Sequence, residues 1–297
     1  MAATCLIARV YAHGDFKKET LKTIKRSSRY VFPRVQAPEP RPPCRRGERQ
    51  VTEPPEDSSI PEHAYEPYIE LRLSDIPRSS HGVVFGTDPD SDVVLPNWKG
   101  IGYRHFTLTF DEANRLIVRD WGSLVGTEVT YDGYGRGKRS NFQWIVGGHN
   151  RLKDVKKILI KLDVNAHVQF RIVTAYHNVS LPAYIDRVGR FRKGTATAEG
   201  LFNDLSIPNR PETKRPTGAH TPGTGAIHLR KRVGEGSYGV VDYFWNVSTG
   251  EEYALKKPSE EARRKGMVNV DAWRHEAFIM GLISRPPHVC ALPACLL

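Results

Sequence analysis

Between residues 68 and 173 the apolar positions recur in short, separated runs. Ile69-Glu-Leu-Arg-Leu73 alternates strictly, the period-two pattern of a strand with one buried face. Eight more runs follow: Val83–Phe85, Val93–Leu95, Phe106–Phe110, Leu116–Asp120, Thr127–Tyr131, Phe142–Val146, Ile158–Leu162 and Val168–Val173. Turn residues separate nearly all of them, among them Asp88-Pro89-Asp90, Asn97, Asn114, Asp132-Gly133, Gly147-Gly148 and Asn165. Many short strands with no helical segment between them predict a mainly β fold, with a β-sandwich over residues 66–175.

The flanks lack this pattern. Phe16 to Ile24 predicts a short helix, and prolines at 33, 38, 40, 42, 43, 54, 55 and 61 then block both helix and central strand. Residues 1–65 read as a disordered, basic and proline-rich arm. Residues 176–226 read as a linker, with Ile207 to Pro216 and Gly218 to Gly225 rich in Pro and Gly. Thr221-Pro222 within it fits a proline-directed phosphorylation site or an ordinary linker dipeptide. Strand character resumes at Ile227, opening a small α+β segment that runs to Leu297.

A chain of 297 residues is long enough for about two domains. Cys5, Cys44, Cys290 and Cys295 have neither CxxC nor zinc spacing, which suits a reducing compartment. No apolar run reaches membrane-spanning length, and Cys5 to Ala8 is too short for a signal peptide. An intracellular location, nuclear or cytoplasmic, is expected. The net charge of +11 is spread as +4, +2, +3 and +2 over residues 1–65, 66–175, 176–226 and 227–297. A nucleic-acid surface concentrates its charge, so this spread disfavours one and leaves a basic-arm binder as the weakest reading.

Chemistry concentrates at the C-terminal side. Val233-Gly234-Glu235-Gly236-Ser237-Tyr238-Gly239-Val240-Val241 spells G-x-G-x-x-G-x-V, in which glycines let a hairpin backbone approach phosphates. Ala254-Leu255-Lys256 lies on the next strand-like run, and Glu276 twenty positions on in a helix-like one. In that order the three elements resemble the small lobe of a protein kinase. The resemblance implies a phosphate-covering hairpin at Gly234, Gly236 and Gly239 with Tyr238 at its tip. Val241 and Ala254 would hold adenine, Lys256 would contact the phosphates of ATP, and Glu276 would pair with Lys256. No His-Arg-Asp and no Asp-Phe-Gly occurs in the 297 residues, so the magnesium ligands and the catalytic Asp of that family are absent. Residues 1–297 are therefore expected to be catalytically inactive, an incomplete kinase lobe with an apolar face unburied.

The sandwich also resembles a family. Phe85-Gly86-Thr87-Asp88, Asp92-Val-Val-Leu95, Gly102-Tyr-Arg104-His105-Phe106 and Ser123-Leu-Val125-Gly126-Thr127 are spaced as in the forkhead-associated (FHA) domain, over about Tyr68 to Ala175. That resemblance implies loops at one end holding a phosphothreonine peptide of a protein partner. The departures fall on the chemistry: Thr87, Gly102 and Val125 stand where the family has Arg, Ser and Asn. Arg supplies charge and a two-pronged donor to phosphate; Ser and Asn supply neutral donors. Losing contacts of ~1.5–3 kcal/mol each weakens such a pocket by powers of ten. Arg104 and Lys99 are the candidate replacements, with the Thr87 hydroxyl weaker, and His105 reads as a loop-holding residue. Trp98, Trp121 and Trp144 read as packing residues.

FHA domain, linker and kinase lobe in that order resemble checkpoint-type Ser/Thr kinases, including fungal ones. The leading expectation is a truncated member of that family: a protein-binding signalling module carrying a vestigial ATP site. The alternative is a non-catalytic FHA adaptor.

Overall fold

Leu6 to His13, an apolar run too short and too rich in alanine to announce itself, forms a central strand of the sandwich. The computed structural model describes residues 5–32, 66–162, 167–195, 228–236 and 239–283. Strand β1 (Leu6–His13) pairs with β3 (Tyr68–Arg72) on one side and β11 (Gln169–Thr174) on the other. With β2 (Tyr30–Val31), β8 (Glu128–Tyr131) and β10 (Ile158–Lys161) they form a six-stranded sheet ordered β2-β3-β1-β11-β10-β8. The facing sheet is ordered β5-β4-β6-β7-β9, from Val93–Val94, Val83–Gly86, Phe106–Phe110, Leu116–Asp120 and Gln143–Ile145. All nine strands expected from the hydrophobic pattern are present.

The sheets close on one apolar core. Phe85 of the second sheet stacks on Phe106 at 4.4 Å and meets Phe170 of the first sheet edge-on at 5.8 Å. These rings, with Ile69, Val118, Val129 and Ile160, are all but fully buried. Burying one such side chain contributes about 1.5–3 kcal/mol.

Two expectations are corrected. Residues 5–32 are not an irregular arm: Ile7, Val10 and Ala12 of β1 enter the core, while Arg9 faces outward and pairs with Glu70 at 3.6 Å. Small Ala8 and Ala12 dilute the alternation, so pairing on both sides stabilises a strand the pattern does not announce. Helix α1 (Lys17–Arg26) agrees with the expected helix and buries Thr20, Thr23 and Ile24. Residues 33–65, which hold the prolines, lie outside the described residues.

The second correction concerns residues 176–195 of the expected linker. Helix α2 (Pro182–Lys193) starts with Pro at its first position, where no intrahelical donor is lost, and buries Tyr184, Val188 and Phe191. Phe191 meets Phe110 edge-on at 5.4 Å. That i, i+4, i+7 spacing is a helical stripe. Thr221-Pro222 lies outside the described residues.

A separate three-stranded antiparallel sheet follows, ordered β12 (His228–Gly236), β13 (Gly239–Asn246) and β14 (Glu252–Lys257). Helices α3 (Glu260–Arg264) and α4 (Val270–Ile283) come after it. Ser259 caps α3 by accepting from the Ala262 N–H. Asp242, wholly buried in β13, is held by Arg230 at 2.6 Å and Lys257 at 3.1 Å. Burial pushes its carboxyl up, but hydrogen bonds from those two cations win and hold it below the usual range.

This sheet is joined to the sandwich. The Ile145 N–H at the edge of β9 donates to the Val247 carbonyl at 2.8 Å, and Arg115 donates to the Thr249 carbonyl at 3.0 Å. Trp245 and Val247 are buried in the same apolar cluster as the sandwich core. His149 stacks on Trp245 at 4.8 Å, and Arg151 lies over the Tyr243 ring at 3.7 Å.

Candidate functional site

The β4–β5, β5–β6 and β7–β8 connections meet at one end of the sandwich, away from the joint. The Thr87 N–H donates to the Gly102 carbonyl at 3.1 Å, the Asp88 N–H to the Tyr103 carbonyl at 3.0 Å, and the His105 N–H to the Phe85 carbonyl at 2.9 Å. This lacing brings the loops so close that a Cβ on Gly86 would sit 1.9 Å from the Tyr103 carbonyl oxygen. Only glycine fits there. His105 is fully buried and its Nδ1 accepts the Gly102 N–H at 2.9 Å. It holds the loop and presents nothing to solvent.

The third loop hangs on Asp120, which the sequence reading missed. This buried carboxylate accepts from the N–H groups of Gly122, Ser123 and Asn141 at 2.9–3.0 Å. It also accepts from the hydroxyls of Ser123 at 2.5 Å and Thr127 at 2.7 Å. The D-x-G-S-x-x-x-T spacing from Asp120 to Thr127 was the available signal, since an Asp that closes its own turn captures N–H groups two and three residues on. Gly126 takes a φ of +83°, and Thr127 and Arg139 exchange N–H···O bonds at 2.8 and 3.0 Å. Val125, at the family's Asn position, packs its Cγ2 toward Gly100, where a Cβ would lie 2.7 Å away. An apolar contact thus joins two loops where a polar group is expected. Leu124 beside it is 87% exposed and Tyr103 64%.

The charges at this end are mixed. Lys99 is exposed and Thr87 half-buried. Arg104 is drawn to buried Asp88, its Nε 3.8 Å from Oδ2. A hydrogen bond to Asp88 also pushes the Tyr103 phenol above its ordinary pKa. The charge of Arg104, a candidate replacement for the missing Arg, is therefore partly offset by Asp88. Asp92 of the D-x-x-L run accepts the Val84 N–H at 2.9 Å, and Leu95 enters the core. Trp144 is buried, and Trp121 donates to the Thr107 hydroxyl at 3.3 Å beneath Arg119, so both act in packing.

The second candidate lies on the three-stranded sheet. Lys256 Nζ and Glu276 Oε1 come together at 2.5 Å, and Lys256 lies 5.2 Å from the Trp273 ring. Residues directly opposite in an antiparallel pair share a face, which puts Val241 beside Lys256, and Ala254 beside Tyr243. Ala254 is exposed and Val241 half-buried. Val233, Gly234 and Gly236 are in β12, exposed, and Gly239 opens β13, where a Cβ would lie 2.5 Å from the Lys257 carbonyl oxygen. Ser237 and Tyr238 lie outside the described residues. Met267 is 71% and Phe278 63% exposed. Among the described residues no cluster of His, Cys, Asp and Glu has metal-ligand geometry, and no helix is long and apolar enough to cross a membrane.

The profile of the FHA domain matches residues 83–139, from β4 through the Gly126 turn. An FHA domain therefore occupies that span. Among solved structures, Rad53 1-466 in complex with AMP-PNP is 16% identical, with a TM-score of 0.30. The overlap covers 63% of this chain and 38% of that one, so this chain spans less than half of that fragment. The N-terminal FHA domain of S. cerevisiae Rad53p in complex with a phosphothreonine peptide is 19% identical over 35% of this chain and 75% of that one, with a TM-score of 0.25. The FHA domain of the CT664 protein from Chlamydia trachomatis is 18% identical over 36% and 86%, with a TM-score of 0.24. No curated protein matches the chain.

Proposed function

We propose that the sandwich is a peptide-binding module that retains the FHA loop frame but has weakened selectivity for phosphothreonine. The observation that carries this reading is the pairing of Arg104 with buried Asp88 beside Thr87, Gly102 and Val125. The frame needs Gly86, His105, Asp120 and Gly126, and all four are in place. The phosphate ligands of the family are not, and the one nearby guanidinium already has a carboxylate. Exposed Leu124 and Tyr103 offer apolar contact to a bound peptide instead. The partner is thus a protein segment read through shape and apolar contact, with phosphate adding little.

The experiment uses two peptides from a randomised library, identical except for phosphate on one Thr. Less than a tenfold difference in affinity, about 1.4 kcal/mol, is expected. A larger gain for the phosphorylated peptide overturns the reading. Thr87→Arg with Val125→Asn should raise the preference.

A second reading concerns the three-stranded sheet. The Lys256–Glu276 pair at 2.5 Å supports a kinase-type small lobe with a vestigial ATP site, and with it a place among FHA-containing Ser/Thr kinases of checkpoint signalling. The adaptor reading differs in predicting no nucleotide binding at all. Calorimetry with Mg-ATP on wild type and Lys256→Met separates the two.

A further inference from the structure

At the end of the sandwich opposite Thr87 and Gly126, a cleft of about 370 Å³ opens between the 3-10 turn Asn150–Asp154 and the end of β11. Lys153, Lys156 and Arg171 line it together with His149, Thr174 and Tyr176, and no Asp or Glu does. Lys153 Nζ sits 4.4 Å above the Tyr176 ring. Arg171 projects from β11, paired on both sides, with Tyr11 of β1 and Leu159 of β10 opposite it. Its Nη2 reaches the Lys156 carbonyl at 3.4 Å, while its buried Nε has no hydrogen-bond partner among the described residues.

Carboxylates near the cleft are engaged elsewhere, Glu252 lying 3.5 Å from both His149 and Arg151. Asp132 turns its oxygens to the N–H groups of Lys156 and Lys157, at 3.1 and 2.8 Å. The positive field extends to neighbouring His13, whose imidazole is held below its ordinary pKa by burial first and then by Lys157, Arg171 and Lys17. Three cations facing one concavity repel one another, and an anion placed among them converts that repulsion into charge-assisted hydrogen bonds.

We propose that this cleft is an anion site for a small phosphate ester. Arg171 and Lys156 take the phosphate oxygens, the Arg fork on its fixed strand supplying the geometry. Lys153 adds charge, and the Tyr176 ring lies against the organic part. The volume falls in the range of small-molecule sites, about 300–1,000 Å³, which favours a compact ligand over a macromolecular one. The site is independent of the phosphopeptide loops, which lie at the other end of the sandwich.

The test is calorimetry on the full chain with inorganic pyrophosphate as the probe and sulfate at equal ionic strength as the comparison. Pyrophosphate should bind in the submillimolar range and at least tenfold tighter than sulfate. Arg171→Ala and Lys156→Ala should each weaken it by at least tenfold, while Arg104→Ala at the opposite end leaves it unchanged. Lys153 and Lys156 are exposed, so Lys153→Ala and Lys156→Ala keep the fold, and an unchanged melting temperature confirms that. Equal binding of sulfate, or an equal loss in Arg104→Ala, overturns the site as an adventitious charge effect. Loss of phosphopeptide binding in Lys156→Ala with pyrophosphate unaffected overturns the small-molecule assignment in favour of a peptide.

Discussion

Thr127 donates its hydroxyl to Asp120 at 2.7 Å, seven residues back across the loop that turns at Gly126. Asp120 serves five donors at once, so it ties together both ends of this loop. Asp120→Ala strands three backbone N–H groups and two hydroxyls in a site with little water. Hydrogen bonds to a charged group contribute about 1.5–3 kcal/mol each, and several fail together, so destabilisation of ~3 kcal/mol or more is expected. Asp120→Asn keeps one carbonyl oxygen, and the hydroxyls can reverse to accept from its amide, so ~1 kcal/mol is expected. Urea denaturation of the two variants checks the order, and equal losses contradict it.

Asp88 restrains Arg104. Asp88→Asn keeps an oxygen for the Asp90 N–H, which Oδ1 accepts at 2.9 Å, but removes the charge that draws the guanidinium. The freed Arg104 should then favour a phosphorylated peptide by up to about tenfold, ~1.4 kcal/mol, over its unphosphorylated twin. Adding Arg104→Ala should cancel the gain. A phosphate preference unchanged by Asp88→Asn means the loop end meets its peptide elsewhere.

The strands of the sandwich were legible because their alternation is strong and their turns are marked, as from Ile69 to Leu73. Strand β1 was not, because Ala8 and Ala12 supply too little contrast and its partners lie about sixty and one hundred and sixty residues away. Helix α2 carried its stripe at Tyr184, Val188 and Phe191, but basic Arg187 and Arg190 between them, with Arg192 and Lys193 after, gave the segment a linker's look. The loop-end substitutions at 87, 102 and 125 were readable by position. That Arg104 lies against buried Asp88 was not, since it depends on two loops laced by backbone hydrogen bonds.

The three-stranded sheet supports a nucleotide prediction. Lys256 meets Glu276, but no His-Arg-Asp or Asp-Phe-Gly lies in residues 1–297 to position metal and substrate. These residues alone should transfer no labelled phosphate to themselves or to a generic substrate, in wild type and in Lys256→Met alike. Mg-ATP should bind no tighter than about 10 μM, equivalent to ~7 kcal/mol. Transfer abolished by Lys256→Met, or a tighter Lys256-dependent site, contradicts this.

The joint between sandwich and sheet gives the last prediction. Trp245 is buried between His149 and the Tyr131 ring, 4.8 and 6.0 Å away between centroids. Trp245→Ala should cost about 3–5 kcal/mol, the range for deleting a large buried ring. Acid should loosen the same joint. Burial holds the His149 imidazole below its ordinary pKa, and Glu252, 3.5 Å away, only partly counters that. In the unfolded chain His149 takes a proton near pH ~6.5, whereas the folded protein resists it to lower pH. The contribution to stability is therefore complete above about pH 6.5 and is lost as the pH falls below it. His13, also shifted down, adds a loss of the same sign. The melting temperature should fall between pH 7.5 and 5, and His149→Gln and His13→Gln should each flatten part of that fall. Hydrogen exchange over residues 239–257 locates the His149 share, because loosening the joint should expose β13 and β14 before the sandwich strands. An acid fall that neither substitution alters, or one that opens β4 and β6 first, would show that the joint is not the acid-sensitive element.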